Sequence, residues 1–318
     1  MIPAPLVSVL LPVRDGMPWL PAALDSLARQ TLRDLEVIVL EDGSTDGTRA
    51  CLGAWRDPRV RVVPTGGVGI AAALNAGLAE ARGLYVARQD ADDESRPQRL
   101  ARQAAHLDAH PDVAVVATVA DYVDLDGRPI ENTWVRTVRR QQDTALTPEA
   151  IARLMPVTCC VTHGSVMARA AVLREAGGYR PDRVPAEDYD LWLRLLRRHR
   201  IAKLGEPLYQ YRVRPGGASA RQTDMAILSK LEHLVRVRPD VAGGALALLG
   251  TARGDAFYRA VAPRLGFRVV SLREPWDVLA VTDLTRLDEY VRLADASHFE
   301  TIGNCIVRRP GRALRRTA

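Results

Sequence analysis

"GIAAALNAGLAEARGLYVARQDADD", residues 69–93, runs from an alanine-rich helical pattern through a glycine to a short apolar segment, then ends on three aspartates in four positions. Gly83 is a usual C-terminal stop for a helix, and "LYVAR" (84–88) reads as a buried strand. Asp90, Asp92 and Asp93 repel one another, so this turn is either solvated or built around positive charge. In an extended backbone Asp90 and Asp92 share a face while Ala91 points away. Two carboxylates on one side suit Mg²⁺ or Mn²⁺, hard cations that take oxygen ligands and keep places for substrate phosphates. The alternative is a surface turn in which Asp93 or Ser95 caps the following helix.

Upstream, the same alternation repeats. "LVSVLLP" (6–12), "LEVIVL" (35–40) and "VRVVP" (60–64) are strand-like runs, each followed by a helical pattern: 17–30, 45–56 and 69–83. Near-continuous apolar strands separated by helices predict an α/β domain with a mainly parallel sheet. Ligands in such sheets sit beyond the carboxyl ends of the strands. Those ends read "PVRDG", "EDGSTDGT", "PTGGVGI" and "RQDADD". In the second, Asp42 could accept a hydrogen bond from a base N–H, while Thr45 or Asp46 could cap a helix. "GVGIAA" (67–72) fits a GxGxxA dinucleotide fingerprint, but it follows the third strand instead of the first, which favours a loop that lets backbone approach a nucleotide.

Downstream, 98–110 reads as a helix, 113–123 as a strand and 124–158 as polar and irregular. "AEDYDLWLRL" opens a helix whose apolar face is Leu191, Trp192, Leu195 and Leu196. Asp188 falls at its start, where the helix dipole favours the ionised form. A carboxylate there can act as general base or can cap the helix. Past residue 222 the pattern predicts helices and a short strand, "FRVVSL" (267–272).

Composition narrows the class. The chain has 318 residues, 47% hydrophobic and 26% charged, with a formal charge of +6. Lysine occurs only at Lys203 and Lys230. The final "VRRPGRALRRTA" holds five arginines and no acid, either a solvated end or a contact for an anionic membrane surface or acidic partner. Elsewhere arginines alternate with acids and aromatics are only 5%, which argues against nucleic-acid binding. Cys51, Cys159, Cys160 and Cys305 form no CxxC pair, and no apolar run approaches the roughly 20 residues needed to span a bilayer. The expectation is a cytoplasmic protein with reduced thiols, at most peripheral at the inner face of the membrane.

Taken in order, these motifs resemble the family 2 glycosyltransferases over residues 6–215. "VIVLEDGSTDGT" is similar to the family's nucleotide-binding turn, "RQDADD" to its DxD motif, "THGSVMAR" (162–169) to a segment near the acceptor and "AEDYDLWLRL" to its ED motif. The resemblance implies the GT-A fold, a Rossmann-like mainly parallel sheet flanked by helices, in residues 1–222. The nucleotide-sugar part would be about 1–110 and the acceptor part about 111–222, while 223–318 lies outside the resemblance and its pattern predicts a mostly helical extension. It implies inverting transfer from a nucleoside-diphosphate sugar, UDP-sugar first, to an acceptor hydroxyl in polysaccharide, glycolipid or glycoconjugate synthesis. Pro12, Val13, Asp15, Asp42, Gly69 and Asn75 would surround the nucleotide. Asp92 would hold Mg²⁺ or Mn²⁺ with Asp90 between ribose and metal. Asp188 would be the base, with Glu187 beside it shaping the acceptor pocket. His163 is either an acceptor contact or a packed core histidine.

Many relatives carry a histidine after the ED helix, where this chain has "YRVRPGGAS". Arginine cannot ligate a cation but can neutralise a diphosphate, so Arg212 and Arg214 are expected at the leaving group, with 215–219 closing over the donor. Residues 223–318 could bind acceptor, form a homodimer or reach a membrane. The alternatives are a non-catalytic nucleotide-sugar binder, an NAD(P)-linked enzyme using "GVGIAA", and a nucleotidyltransferase, which would have no use for the ED motif.

Overall fold

The structure, a computed structural model, describes residues 4–132, 135–136, 138–139, 145–214, 223–249, 252–272, 274–281, 299–302 and 305–308. The expected closing segment at 215–219 and the arginine tail from 309 onwards lie outside the described residues. The chain divides into two compact units, Met1–Ala152 with Cys159–Gly217 and Arg153–Thr158 with Ala218–Ala318.

Along residues 7–212 the elements run β1 (Val7–Val13), α1 (Leu20–Ala28), β2 (Leu35–Glu41), α2 (Thr48–Ala54), β3 (Val60–Pro64), α3 (Ile70–Glu80), β4 (Tyr85–Arg88), a two-residue β5 (Glu94–Ser95), α4 (Arg99–Ala109), β6 (Val113–Val123), α5 (Pro148–Leu154), β7 (Met167–Arg169), α6 (Ala170–Glu175), α7 (Glu187–Leu195) and β8 (Arg200–Arg212). They form one sheet in the order β3-β2-β1-β4-β7-β6-β8-β5. The pairs β3/β2, β2/β1, β1/β4 and β6/β8 are parallel. The short β7 is antiparallel to both β4 and β6, and β5 is antiparallel to β8. β1 and β2 are covered on both faces, which is why neither shows polar alternation. Val7, Val9, Leu11, Val37 and Val39 meet Leu20, Leu24 and Leu27 of α1 on one side.

This topology sends the carboxyl ends of β1, β2, β3 and β4 to a common edge. β8 then returns to deliver Arg212 and the residues just after it beside the turn that follows β4.

The second unit carries more strands than the one short strand expected at 267–272. Alongside α8 (Thr223–Val237) and α9 (Ala252–Val261) it contains a five-stranded sheet, ordered β10 (Arg268–Val270), β9 (Ala245–Leu249), β11 (Val278–Val281), β13 (Cys305–Arg308), β12 (Phe299–Ile302). β10, β9 and β11 are parallel, and β13 and β12 are antiparallel additions. Leu231, Leu246, Phe267, Val278 and Ala280 form its core. Burial against α8 makes strands of short Ala/Leu runs that carry little intrinsic strand preference.

Candidate active site

A cleft of about 300 Å³ opens at the shared strand edge. Its walls are Pro12, Val13, Arg14, Asp15 and Gly16 after β1, Trp19, Asp42, Gly69, Ile70 and Ala73, then Arg88, Asp90, Ala91 and Asp92 after β4, and Arg214.

The loops after β1 and β2 are laced together. Asp15 adopts φ +52°, a left-handed conformation that an aspartate tolerates better than most residues. Its Oδ1 accepts from the Thr45 amide (2.7 Å) and the Asp46 amide (3.3 Å), and its own N–H donates to Ser44 Oγ. The Thr45 amide is the main reason this carboxyl sits below the usual aspartate range.

Asp42 lines the cleft and holds the loop after β3. Its Oδ1 accepts from Thr65 Oγ1 (2.6 Å) and the amides of Gly67 (2.9 Å) and Val68 (2.8 Å), and its Oδ2 accepts from the Gly69 amide (2.9 Å). Gly66, Gly67 and Gly69 all take positive φ, so only glycine lets the loop fold around the carboxylate without strain. Burial opposes ionisation, but these donors outweigh it and hold Asp42 below its ordinary value. The dinucleotide alternative fails at the same point. The amides of "GVG" that would cradle a pyrophosphate already donate to Asp42.

The acidic turn after β4 is not a solvated cap. Asp93 is buried, and its Oδ1 accepts from the Arg212 amide at 2.7 Å. Ser95 Oγ donates to Gln89 Oε1, and α4 starts at Arg99 without a side-chain cap. Asp90 and Asp92 both face the cleft. Arg88 Nη2 donates to Asp90 Oδ1 at 2.7 Å, Arg88 Nη1 donates to the Gln89 carbonyl, and the buried Nε has no hydrogen-bond partner. Arg214 Nε lies 2.8 Å from Asp92 Oδ2, with its guanidinium 5.5 Å from the Trp19 ring centroid. Burial and neighbouring Asp90 push the Asp92 carboxyl up, with Arg214 opposing them.

Behind this turn the buried Tyr209 hydroxyl accepts from the Asp90 amide at 3.1 Å. Gly164 fits against both. A Cβ there would fall 2.0 Å from Tyr209 Oη and 2.5 Å from Asp90 Oδ2.

The second acidic pair starts α7. Glu187 and Asp188 are both buried, and Glu187 Oε2 has no hydrogen-bond partner. Asp188 Oδ1 accepts from the Tyr189 amide at 2.7 Å. Burial, and then the neighbouring Glu187, raise the Asp188 carboxyl to about 7. Burial also raises Glu187. Asp90 opposes and Arg88 favours ionisation at both, so the two acidic pairs sit within electrostatic reach of one another around one buried arginine.

Eight of the expected nucleotide and metal residues therefore converge on the cleft: Pro12, Val13, Asp15, Asp42, Gly69, Asp90, Asp92 and Arg214. Two have other work. Asn75 Nδ2 donates to the Tyr179 carbonyl (2.7 Å) while its Oδ1 accepts from the Tyr179 amide (2.8 Å), so its amide is engaged by backbone away from the cleft walls. Arg212 Nε donates to the Asp92 carbonyl and its Nη1 donates to the carbonyls of Asp124 and Leu125, so its guanidinium ties two turns together. His163 Nε2 lies 3.0 Å from Tyr179 Oη, with its ring against Tyr179 and Trp192. Burial and Arg88 hold that imidazole well below its usual value, hence neutral. Arg88, Trp19 and Gly164 were missed. Only Arg88 left a sequence signal, a cation ending an apolar strand directly before an acidic turn.

The sequence profile of glycosyl transferase family 2 matches residues 8–176. The chain is 34% identical over 215 residues to EpsE of Bacillus subtilis (strain 168), covering 65% of this chain and 73% of that protein. It is 27% identical over 237 residues to the chondroitin synthase of Pasteurella multocida (strain Pm70), covering 73% of this chain but 23% of that protein. In structure it is similar to S. aureus TarS 1–349 in complex with UDP, with TM-score 0.55, 21% identity, and 72% and 65% of the two chains covered. It is also similar to the mannosyltransferase PcManGT from Pyrobaculum calidifontis in complex with GDP-Man and Mn²⁺, with TM-score 0.56, 23% identity, and 75% and 66% covered.

Proposed function

The chain belongs to glycosyl transferase family 2 and has the GT-A fold, and on that premise we propose that it moves a sugar from a nucleoside-diphosphate sugar to an acceptor hydroxyl with inversion. It is a glycosyltransferase enzyme. The observation that carries the reading is the raised, buried Asp188 at the start of α7, within electrostatic reach of Asp90 at the cleft. A carboxyl whose proton leaves near pH 7 is matched to general-base work at neutral pH.

In this mechanism the nucleoside diphosphate lies along the cleft from the Asp42-held loop to Asp90 and Asp92. Asp188 removes the acceptor proton as that oxygen attacks the anomeric carbon, and the diphosphate leaves from the opposite face. Glu187, unpaired at Oε2, borders the acceptor side. Arg214 offers a cation to the diphosphate, and Arg88 holds Asp90 in place.

Asp92 and Asp90 fit Mg²⁺ or Mn²⁺. Both are hard oxygen donors at the cleft wall, with Arg214 on Asp92 and Arg88 on Asp90 as the positive charges beside them. Among the described residues no group of three His, Cys, Asp or Glu side chains is arranged around one point, so the remaining oxygens would come from substrate phosphates and water. When bound, the ion would neutralise charge on the departing diphosphate. The UDP and GDP-Man complexes of the structural neighbours support a nucleotide-sugar donor here, and UDP is the carrier we propose. The acceptor is a growing polysaccharide, glycolipid or other glycoconjugate. No helix among the described residues is long and apolar enough to cross a membrane.

Calorimetric titration of UDP, GDP and thymidine diphosphate, each with and without Mn²⁺, tests this directly. One diphosphate should bind only with metal, and Asp92→Ala should abolish that binding. Silence from all three would overturn the donor-site assignment.

A further inference from the structure

The two aspartates of the DxD turn each carry an arginine, but the two pairs differ in kind. Arg88 on Asp90 is 3% exposed, and its guanidinium also donates to the Gln89 carbonyl. Separating it would leave a charge buried without a partner, which is strongly unfavourable. Arg214 on Asp92 is 45% exposed and is held by one ion pair and a ring contact with Trp19. An exposed pair of this sort is weak and separates readily. The ring that Arg214 stacks on is itself fixed, because Trp19 Nε1 donates to the Leu125 carbonyl at 3.2 Å.

Asp92 Oδ2 is thus taken by an arginine at the carboxylate best placed to ligate a cation. Guanidinium has only donors and cannot join a metal's coordination shell. Arg214 and a divalent ion therefore compete for Asp92. A diphosphate entering the cleft changes the balance, since it gives the arginine another anion that it can engage through two parallel hydrogen bonds.

Resting on the glycosyltransferase reading above, we infer that Arg214 is an internal counter-ion which occupies Asp92 until a nucleoside diphosphate draws it away, so that metal and nucleotide bind as a coupled pair. Coupling of this kind is reciprocal. Whatever factor the nucleotide adds to metal affinity, the metal adds to nucleotide affinity. Without nucleotide, Arg214 holds metal affinity down; with nucleotide, the same side chain strengthens the complex.

The test is Mn²⁺ binding followed by electron paramagnetic resonance, first with Mn²⁺ alone and then with UDP or GDP, in wild type, Arg214→Ala and Arg214→Lys. Removing a weak competing pair should tighten the binding of Mn²⁺ alone about two- to fivefold in Arg214→Ala, while diphosphate affinity measured with Mn²⁺ falls about tenfold or more. Arg214→Lys keeps a cation able to reach Asp92 and should leave the affinity for Mn²⁺ alone near that of wild type. Unchanged or weaker binding of Mn²⁺ alone in Arg214→Ala would overturn the counter-ion role, as would no detectable binding in any variant. A wild type that binds neither diphosphate with Mn²⁺ would overturn the glycosyltransferase site instead, so the two failures are distinct.

Discussion

Replacing Asp188 by Asn should stabilise the folded protein at alkaline pH while removing its activity. In the folded state burial and Glu187 raise the Asp188 carboxyl from 3.8 to about 7. Between those values the folded protein holds a proton that the unfolded chain has released, so wild-type stability falls as pH rises through the interval. Each unit is worth about 1.4 kcal/mol, and about three units give a ceiling on the order of 4 kcal/mol. Asparagine is nearly isosteric and never ionises, so the variant escapes this loss. Urea unfolding in the presence of a chelator would measure it. Between about pH 5.5 and about pH 8.5 the stability difference, variant minus wild type, should widen by about 2 kcal/mol, with nearly all of the change below about pH 7. Turnover, followed by release of the nucleoside diphosphate, should drop at least about a hundredfold if Asp188 is the base. A stability difference that stays flat with pH would show that the carboxyl is not penalised by burial. Near-normal turnover would remove Asp188 from the mechanism.

Two other substitutions separate scaffolding from chemistry. Gly164→Ala places a methyl group against Tyr209 Oη and Asp90 Oδ2; it should cost about 1–3 kcal/mol in thermal unfolding and weaken Mn²⁺-dependent diphosphate binding, because Asp90 must move. Arg212→Ala removes the bonds to the carbonyls of Asp92, Asp124 and Leu125; it should destabilise by about 2–4 kcal/mol in urea, a loss that Arg214→Ala should not share.

The first hundred residues were legible because a strand buried on both faces writes itself as an unbroken apolar run. "LEVIVL" and β2 agree to within a residue. The second unit was not, because "ALALL" and "VLAV" are too short for periodicity to decide, and alanine and leucine favour helix until tertiary burial overrides them. The arginines show a similar limit. Arg212 and Arg214 are two positions apart and looked like one basic pair. Arg212 is the last residue of β8, in register with Val123 of β6, and that pairing turns its guanidinium into neighbouring carbonyls. Arg214 lies beyond the strand and reaches the cleft. Where a strand ends decides the role of each, and strand ends are the least legible feature of a sequence.

The acids of the site separate by how many donors the fold supplies to each. Asp15 and Asp42 are surrounded by backbone amides, and both carboxyls sit below the usual range. Their carboxylates shape the loops after β1, β2 and β3. Glu187 and Asp188 are buried with few donors, Asp92 is half-buried with Arg214 on one oxygen, and all three are raised. Raised carboxyls respond to a nearby cation or proton more readily than those already held by amides, which is the behaviour proposed above for Asp92 and Asp188. Asp93 lies between the classes: it accepts from the Arg212 amide yet is raised well above the ordinary value by burial, Asp90 and Asp92. Three carboxylates in four positions are therefore not equivalent. Asp93 anchors the turn to β8, Asp90 is held by a buried arginine, and Asp92 is paired with a more exposed one.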